Sequence, residues 1–278
     1  MGIWNTVQKW QGKSVPPCSM IVAAAGSSCR MGGQDKLFAP LAGVPVLTRT
    51  LRAIDRAELV SEIVVAAQEE RMEAVAALCA AAALHKKVKV VKGGASRTES
   101  VLAAALECDP RAELIAIHDG ARPLVRPEMI DEMIRAGWQT QAAAPSTPVT
   151  DTVKVADDDR WVASTPDRST LYAVQTPQVF QANILKAALQ AALASGEPVT
   201  DDCAAVERLG KRVWLAEGDV ENIKITTPVD LIIVEALLRQ RERQPWGLLL
   251  RELRVQRRLP VRFSARRYPR RGCRWRRH

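Results

Sequence analysis

The stretch SMIVAAAGSSCRMGGQDK, residues 19–36, combines the two features that decide the fold. Its first half is a nearly continuous apolar run, which is typical of a strand buried on both faces of a parallel sheet. Its second half is rich in glycine and serine, so the backbone can approach a ligand closely and direct N–H groups at phosphates. Arg30 and Lys36 add the positive charge that a triphosphate requires. The stretch therefore predicts a first strand followed by a phosphate-binding loop.

Short apolar segments alternate with longer amphipathic segments over the first half of the chain. Strands are predicted at residues 19–25, 62–67, 88–91, 113–117 and 140–144, and helices at residues 46–55, 69–84, 96–108 and 127–137. Strand and helix alternating in this way indicate right-handed crossovers between parallel strands. We expect an α/β protein with a Rossmann-like open, mostly parallel sheet flanked by helices.

The alternation is interrupted at about residues 148–178. Apolar and polar residues alternate up to Val155, three aspartates at 157–159 form a turn, and two further short strand-like segments follow. This pattern predicts a β-hairpin arm that is inserted in the sheet domain and is long enough to leave its surface. Helices are then expected at residues 183–194 and 201–209, a strand at 212–216, and a last helix from Pro228 to about 239.

The net charge of +9 is concentrated in the last 40 residues. Residues 239–278 contain 15 arginines and two glutamates, whereas residues 1–238 contain 25 basic and 29 acidic side chains. We therefore expect a flexible leader at 1–17, one catalytic domain at 18–240, and a disordered Arg-rich tail at 241–278. The basic charge of the tail gives no reason to regard the domain itself as a nucleic-acid-binding module.

Composition excludes several other classes of protein. No run of apolar residues approaches the roughly 18 that a membrane-spanning helix needs. The six cysteines include no C-x-x-C pair, so neither a zinc site nor a disulfide framework is indicated. Reduced cysteines suit the cytoplasm, which is the predicted location. The glycine-rich loop lacks both G-x-G-x-x-G and the Gly-Lys-Ser/Thr sequence, so it is neither a dinucleotide fingerprint nor a Walker A loop.

Further motifs follow the loop in a fixed order. They are Gly93-Gly94-x-x-Arg97-x-x-Ser100, His118-Asp119-Gly120-Ala121-Arg122-Pro123, PVTDTVK at 148–154, Asp167-Arg168, QTPQ at 175–178, Thr200-Asp201-Asp202, and NIKIT at 222–226. On these motifs the chain, from about residue 20 to about 238, resembles the 2-C-methyl-D-erythritol 4-phosphate cytidylyltransferase family of the sugar-nucleotidyltransferase-like superfamily. The resemblance implies a cytoplasmic enzyme that transfers CMP from CTP to methylerythritol phosphate and releases pyrophosphate, in non-mevalonate isoprenoid precursor biosynthesis.

The resemblance also implies roles for residues. CTP would be bound by Ala24, Ala25, Gly26, Gly94, Ser100, Arg30 and Lys36. Catalysis would depend on Arg30, Lys36, Asp119 and Lys224. The acceptor would be bound by Asp119, Arg122, Thr152, Arg168, Thr176, Thr200 and Lys224. Mg²⁺ would be held through the CTP phosphates, with no direct protein ligand, and Asp119 would orient the acceptor or this metal. The arm would form a homodimer and place Arg168 and Thr176 in the active site of the partner subunit.

Simpler interpretations of several residues remain open at this point. Ala24 and Ala25 could be strand core, Ser100 could bond to its own helix backbone, and Asp119 with Arg122 could be a structural pair. Asp201 and Asp202 could simply cap a helix, and we assign Asp202 no catalytic role. His118 is interpreted as structural.

Two other functions remain open. One is ribitol-5-phosphate cytidylyltransferase, which would differ in the acceptor pocket. The other is a non-catalytic α/β module whose Arg-rich tail binds nucleic acid.

Overall fold

The computed structural model of the chain describes residues 14–26 and 35–243. The predicted Arg-rich tail beyond residue 243, most of the predicted leader, and Arg30 with its neighbours in the glycine-rich loop lie outside the described residues. The chain divides into a unit of residues 1–238, which contains the sheet, and a unit of residues 239–278. Of the second unit, the structure describes residues 239–243, which form the end of the last helix.

Strands and helices alternate over most of the described chain. The strands are β1 (Cys18–Ala24), β2 (Pro40–Leu41), β3 (Val44–Pro45), β4 (Val60–Ala67), β5 (Lys87–Lys92), β6 (Leu114–Asp119), β7 (Ala142–Pro148), β8 (Val155–Ala156), β9 (Val162–Ser164), β10 (Tyr172–Val174), β11 (Gln178–Gln181) and β12 (Trp214–Glu217). The helices are α1 (Val46–Asp55), α2 (Met72–Ala81), α3 (Arg97–Glu107), α4 (Pro127–Thr140), α5 (Ala182–Ser195), α6 (Asp202–Arg208) and α7 (Pro228–Arg243).

In the described part of the chain, eight strands form one mixed sheet in the order β10-β7-β11-β6-β1-β4-β5, with β12 paired to β7. β1 lies at its centre and pairs in parallel with β4 on one side and β6 on the other. β4 pairs in parallel with β5. The chain therefore builds outward from β1 through β4 and β5, and then crosses through α3 to β6 on the opposite side of β1. The prediction of an open, mostly parallel α/β sheet is confirmed.

Helices cover both faces of this sheet, and β1 shows why its sequence is apolar throughout. Met20 and Val22 pack in one buried cluster with side chains of α1, α2 and α4, whereas Ile21 packs in a second cluster with α3, α5 and α6. All three side chains are fully buried. A strand that contributes to two cores at once cannot show the polar and apolar alternation of a half-exposed strand.

The inserted segment takes the form of an arm, as expected. β8 and β9 pair with each other in an antiparallel hairpin, away from the main sheet. β10 then returns to the main sheet and pairs with the end of β7, with Tyr172 opposite Pro148. The sequence did not reveal β11, which lies antiparallel between β6 and β7 at the base of the arm.

The predicted boundary between α4 and β7 was also wrong. Gly137 looked like the end of the helix, but α4 continues to Thr140, and Gln141 ends it with a positive φ of 74°. Gly137 lies inside the helix and packs directly on β11. A larger residue would not fit there, because a Cβ atom would stand 2.5 Å from Val179 Cγ1. The glycine therefore permits a close helix-to-sheet contact and does not mark a turn.

Among the described residues, no helix combines the length and the apolar character that crossing a membrane requires.

Candidate active site

The carboxyl ends of β1 and β6 meet at the point where the order of the strands reverses. β1 continues into β4 and β5 on one side, and β6 begins the other half of the sheet. In open α/β sheets, the loops leaving two such strands diverge and leave a crevice that binds ligands. Ala24 ends β1 and Asp119 ends β6, and Gly120 N–H donates to the Ala23 carbonyl at 3.1 Å. The start of the glycine-rich loop after β1 and the His118–Pro123 motif at the end of β6 are therefore adjacent at this crevice.

Several of the predicted nucleotide-binding residues lie together near the ends of β1 and β5. Ala24 is buried at the end of β1, Ala25 is half-buried, and Gly26 is exposed at the start of the loop. Gly93 links Ala25 to Ser100, because a Cβ on Gly93 would approach the Ala25 Cβ to 2.8 Å and the Ser100 Oγ to 2.9 Å. The loops after β1 and β5 therefore approach each other so closely that only small residues fit between them.

Ser100 organises the Gly93–Gly94 loop from one turn into helix α3. Its hydroxyl donates to the Ser96 carbonyl at 2.8 Å and accepts from Gly94 N–H at 3.0 Å. The simpler interpretation, in which the hydroxyl bonds to the backbone of its own helix, is therefore correct for this contact. The same hydroxyl also fixes exposed Gly94 at the crevice.

Lys36 follows the part of the glycine-rich loop that lies outside the described residues, and it is half-buried. The loop re-enters the described structure at Asp35, whose carboxylate pairs with Arg71 at 2.5 Å and accepts from Leu37 N–H. The Leu37 side chain lies 3.3 Å from the position of a Cβ on Gly120. The end of the loop, and Lys36 with it, is thus anchored beside the carboxyl end of β6.

Three cations converge on the carboxylate of Asp119. Its Oδ1 accepts from Arg97 Nη1 at 3.1 Å, and its Oδ2 lies 3.1 Å from both Arg122 Nε and Lys224 Nζ. We call Asp119, Arg97, Arg122 and Lys224 the Asp119 cluster. Asp119 and Arg122 are buried, whereas the side chain of Lys224 is 40% exposed. Lys224 is therefore the cation of this cluster with the most room to reach a ligand.

The charge state of Asp119 follows from these contacts. Burial alone would raise the pKa of its carboxyl, but the positive charges of Arg97, Lys224 and Arg122 outweigh burial and hold the pKa well below its usual range. Asp119 is therefore ionised at neutral pH. With a fixed negative charge in the middle, the cations are held at defined positions despite their mutual repulsion.

The segment that carries Lys224 is attached to β6 and its following loop by hydrogen bonds. Arg122 Nη1 donates to the Asn222 carbonyl at 2.6 Å, and Ile225 N–H donates to the Ala121 carbonyl at 2.9 Å. Arg122 is thus bonded on both sides within the protein, to Asp119 and to Asn222. By contacting both, Arg122 holds the segment that carries Lys224 next to Asp119.

Thr176 lies behind Asp119, in a chain of hydrogen bonds. Asp119 N–H donates to Thr176 Oγ1 at 3.1 Å, Thr176 Oγ1 lies 3.0 Å from His118 Nδ1, and His118 Nε2 lies 3.3 Å from the Arg122 carbonyl. Burial lowers the pKa of His118 to about 4, so its ring is neutral at pH 7. Since Nε2 faces a carbonyl, it carries the proton, and Nδ1 accepts from the Thr176 hydroxyl.

This placement differs from what the sequence analysis expected of Thr176. We expected it to serve the active site of the partner subunit, but it is buried and contacts Asp119 and His118 of its own chain. Asn222 Nδ2 also donates to its carbonyl at 2.8 Å. His118 is structural in this arrangement, in agreement with the interpretation from sequence.

Sequence reasoning missed two residues of the site. Arg97 was quoted as part of a motif without a role, yet it reaches Asp119 with one nitrogen and Asp202 Oδ2 with the other, at 2.8 Å. Asp202 was given no catalytic role, and its neighbour Asp201 indeed caps α6 by accepting from Ala204 N–H at 2.9 Å. Asp202 itself is buried and faces the Asp119 cluster. The i, i+3 spacing of Arg97 and Ser100 on one helix face was the available signal.

Three of the predicted acceptor-binding residues lie on exposed segments. Thr152 and Arg168 are exposed on the arm, where Arg168 Nη1 donates to the Thr150 carbonyl at 2.7 Å. Thr200 is exposed just before the Asp201 cap. The Asp119 cluster is thus assembled from the sheet domain, while these three residues are presented on the surface.

Ligands of open α/β sheets bind at this edge, and cations such as those of the Asp119 cluster can stabilise the charge of a transferring phosphoryl group, so the site has the features of a transferase that acts on phosphorylated substrates. Comparison with known proteins makes the class specific. Residues 18–240 match the family model described as IspD, 2-C-methyl-D-erythritol 4-phosphate cytidylyltransferase. The chain belongs to this family and is a cytidylyltransferase.

Individual relatives agree with this assignment. The 2-C-methyl-D-erythritol 4-phosphate cytidylyltransferases of Caldanaerobacter subterraneus and Symbiobacterium thermophilum are each 44% identical, over 80% and 82% of this chain and 99% and 95% of their own. The crystal structure of 4-diphosphocytidyl-2C-methyl-D-erythritol synthase from Anaerococcus prevotii superposes with a TM-score of 0.73 at 30% identity, over 84% of this chain and 99% of that one. The resemblance noted from the motifs is confirmed.

Proposed function

We propose that the chain transfers CMP from CTP to 2-C-methyl-D-erythritol 4-phosphate, giving 4-diphosphocytidyl-2-C-methyl-D-erythritol and pyrophosphate. An oxygen of the acceptor's phosphate attacks the α-phosphorus of CTP, a new P–O bond forms, and the bond to the β-phosphate breaks so that pyrophosphate leaves. The observation that carries the proposal is the Asp119 cluster, which presents half-exposed Lys224 at the crevice between β1 and β6.

Positioning and charge stabilisation account for catalysis in this proposal, as is general for phosphoryl and nucleotidyl transfer. Lys224 has three N–H donors, and its Nζ forms an ion pair with Asp119 Oδ2 at 3.1 Å. Its ammonium would also donate to the α-phosphate, where negative charge grows in the transition state. Lys36 and Arg30 would bind the β- and γ-phosphates from the loop after β1.

The base and ribose of CTP would lie against Ala24, Ala25 and Gly26 on one side, and against Gly94 and Ser100 on the other. The close approach of Ala25, Gly93 and Ser100 supports this arrangement, because it leaves backbone groups rather than bulky side chains facing the crevice. The acceptor would lie towards Asp119 and Arg122, with Thr176 behind them. Thr152, Arg168 and Thr200 would approach it from the surface segments.

We propose Mg²⁺ as the cofactor, held through the phosphates of CTP. In the described residues, no group of three His, Cys, Asp or Glu side chains is arranged to hold a metal ion. Both oxygens of Asp119 are already contacted by cations, which suits an ion whose ligands come from phosphates and water. When bound, the ion would act as a Lewis acid on the phosphate oxygens.

We also propose a homodimer formed through the arm. Apolar side chains are unusually exposed along this segment and beside it: Trp161 is 75% exposed, Val162 60%, and Tyr172 and Trp214 each 48%. Aromatic residues of this kind often form the centre of protein interfaces. In such a dimer, exposed Arg168 would be available to the neighbouring subunit's site. A cytoplasmic location is supported by the four buried free cysteines, Cys18, Cys79, Cys108 and Cys203, of the described residues.

The test is pyrophosphate release by the purified full-length chain with CTP and Mg²⁺. One reaction receives methylerythritol phosphate, a second receives ribitol 5-phosphate, and a third uses the Lys224→Ala protein with methylerythritol phosphate. We expect release in the first reaction only. Release with ribitol 5-phosphate instead would keep the chemistry but replace the acceptor, and no release with either acceptor from folded protein would refute the proposal.

A further inference from the structure

Arg97 connects two buried carboxylates that belong to different parts of the fold. Its Nη1 lies 3.1 Å from Asp119 Oδ1 at the end of β6, and its Nη2 lies 2.8 Å from Asp202 Oδ2 at the start of α6. The carboxylates are 7% and 2% exposed, respectively, and the guanidinium side chain is 32% exposed. A planar guanidinium that donates to two carboxylates has its orientation fixed in a way that a lysine could not reproduce.

The two carboxylate oxygens of Asp119 contact different cations. Arg97 occupies Oδ1, while Lys224 and Arg122 share Oδ2. A carboxylate that is bound at one oxygen cannot rotate freely, so the direction of its other oxygen is set. The position of the Lys224 ammonium, which depends on Oδ2, therefore depends indirectly on Arg97.

Asp202 in turn holds Arg97 in place. Burial raises the pKa of the Asp202 carboxyl, and the nearby charge of Arg97 opposes that effect. Without Asp202, the guanidinium would lose one of its two anchors and could turn towards the phosphates of a bound nucleotide. Asp202 therefore anchors Arg97 from outside the Asp119 cluster.

We propose that Arg97, anchored by Asp202, is a positioning residue for catalysis: it orients the Asp119 carboxylate and thereby holds the Lys224 ammonium at the reacting phosphate. This inference rests on the proposed function, and neither Arg97 nor Asp202 needs to touch the substrate. A displacement of about 1 Å of a catalytic group can cost on the order of 100-fold in rate. The effect should therefore appear in kcat rather than in the KM for CTP.

The first test is a double-mutant cycle on kcat, with active enzyme counted by a burst or a tight-binding titration. We expect Arg97→Gln to lower kcat by about 10- to 100-fold, with the KM for CTP changed by less than about threefold. Asp202→Asn should lower kcat by about tenfold. Because Asp202 acts through Arg97, the double variant should be no slower than Arg97→Gln within about a factor of two.

Matched controls come from the same chain. Arg126 also bridges two carboxylates, Asp219 at 3.0 Å and Glu221 at 2.9 Å, outside the Asp119 cluster. Asp201 is the sequence neighbour of Asp202, and an asparagine can still cap the helix. Arg126→Gln and Asp201→Asn should each change kcat by less than about threefold. Effects of Arg97→Gln and Asp202→Asn that multiply in the double variant, or that match those of the controls, would overturn the proposal.

The double variant also guards against a failure to fold. Arg97→Gln leaves Asp202 buried without its partner, which is destabilising, whereas the double variant removes both charges together. We therefore expect the double variant to melt above Arg97→Gln. If the single variant does not fold, the double variant still provides the kcat test, and a kcat equal to wild type would contradict the proposal.

A second measurement is independent of turnover. The side-chain carboxyl of Asp119 is followed by ¹³C NMR during a pH titration and is assigned by its absence in Asp119→Asn. The groups facing this carboxyl are Arg97, Arg122, Lys224, His118 and Asp202. In Arg97→Gln, the titration should move up by about one pH unit or more, and no movement would contradict the proposed contact. If wild-type protein releases no pyrophosphate, the proposed function fails while this measurement still judges the Arg97–Asp119 link.

Discussion

The Asp119 cluster and the arm represent opposite ways of placing functional side chains. In the cluster, each charged group is contacted by another within the same chain, and Asp119 alone is contacted by three cations. On the arm, Trp161, Val162 and Tyr172 are largely exposed, and the hairpin of β8 and β9 is separate from the main sheet. The charged groups of the cluster are held by contacts within the chain itself, whereas the arm has the composition of a surface that another chain would cover.

The comparison predicts that damage to the cluster abolishes chemistry and damage to the arm changes assembly. The largest effect is expected for Asp119→Asn, which leaves Arg97, Arg122 and Lys224 without their common negative partner. We expect kcat to fall by about 10² to 10³, and the free energy of unfolding to fall by about 3 kcal/mol because buried Arg122 loses its counter-ion. Kinetics at saturating substrate and urea unfolding measure the two effects. A variant with normal kcat would mean that the cluster is purely structural.

The arm should respond in assembly state rather than in folding. Replacing Trp161 and Val162 together by aspartate should weaken dimerisation by about 100-fold or more, since interface aromatic residues commonly contribute 2 kcal/mol or more. Light scattering should then report a mass of 30.5 kDa rather than twice that value. Leu106→Asp, at an exposed apolar residue of α3, is the control and should leave assembly unchanged. A wild-type protein that is monomeric at micromolar concentration would contradict the proposed dimer interface on the arm.

The hydrogen-bond chain behind the cluster predicts a pH dependence of stability. His118 has a pKa of about 4 in the folded chain and about 6.5 when unfolded. Between these values the unfolded chain binds more protons, so the free energy of unfolding falls as pH drops from about 6.5 to about 4, by up to about 3 kcal/mol. Urea unfolding at pH 7 and pH 4.5 measures the change, and His118→Asn should reduce it. An identical pH dependence in both proteins would show that His118 is not buried as a neutral ring.

The smallest effect is expected on the nucleotide side of the crevice. Ser100→Ala removes the acceptor for Gly94 N–H and loosens the loop that would face CTP. A hydrogen bond of this kind contributes about 1 kcal/mol, so the KM for CTP should rise by roughly fivefold, with kcat little changed. Thr140→Ala, at a comparable hydroxyl bonded to the backbone of α4, should leave the KM unchanged. Equal effects of the two variants would argue against a nucleotide-facing role for Gly94.

Much of the fold could be predicted because local pattern and packing agree. Helix α1 has the bounds that its periodicity predicted, Val46–Asp55, and β1 has the apolar run of a strand buried on both faces. Gly137 could not be interpreted from sequence, because a glycine at a turn and a glycine under a crossing strand look the same. The short strand β11 was missed for a similar reason: it pairs with β6 and β7, which are distant in sequence.

The site shows the same division between local and long-range information. Asp119, Arg122 and Lys224 were chosen from separate motifs, and the structure brings them into direct contact. Arg97 and Asp202 lie 105 positions apart, and their pairing depends on α3 and α6 lying on the same face of the sheet. Asp202 also follows a residue that caps a helix, so its sequence context favoured the simpler interpretation. Burial of an ionic pair across such a separation cannot be predicted from spacing.

The most direct test of the central claim is ³¹P NMR of the wild-type chain incubated with CTP, Mg²⁺ and methylerythritol phosphate. The account predicts that the signals of both substrates decline together while pyrophosphate and one new diphosphate product appear in equal amounts. Loss of CTP to CMP and phosphates with methylerythritol phosphate left intact, or no reaction by folded protein, would contradict the claim that the crevice between β1 and β6 transfers CMP to this acceptor.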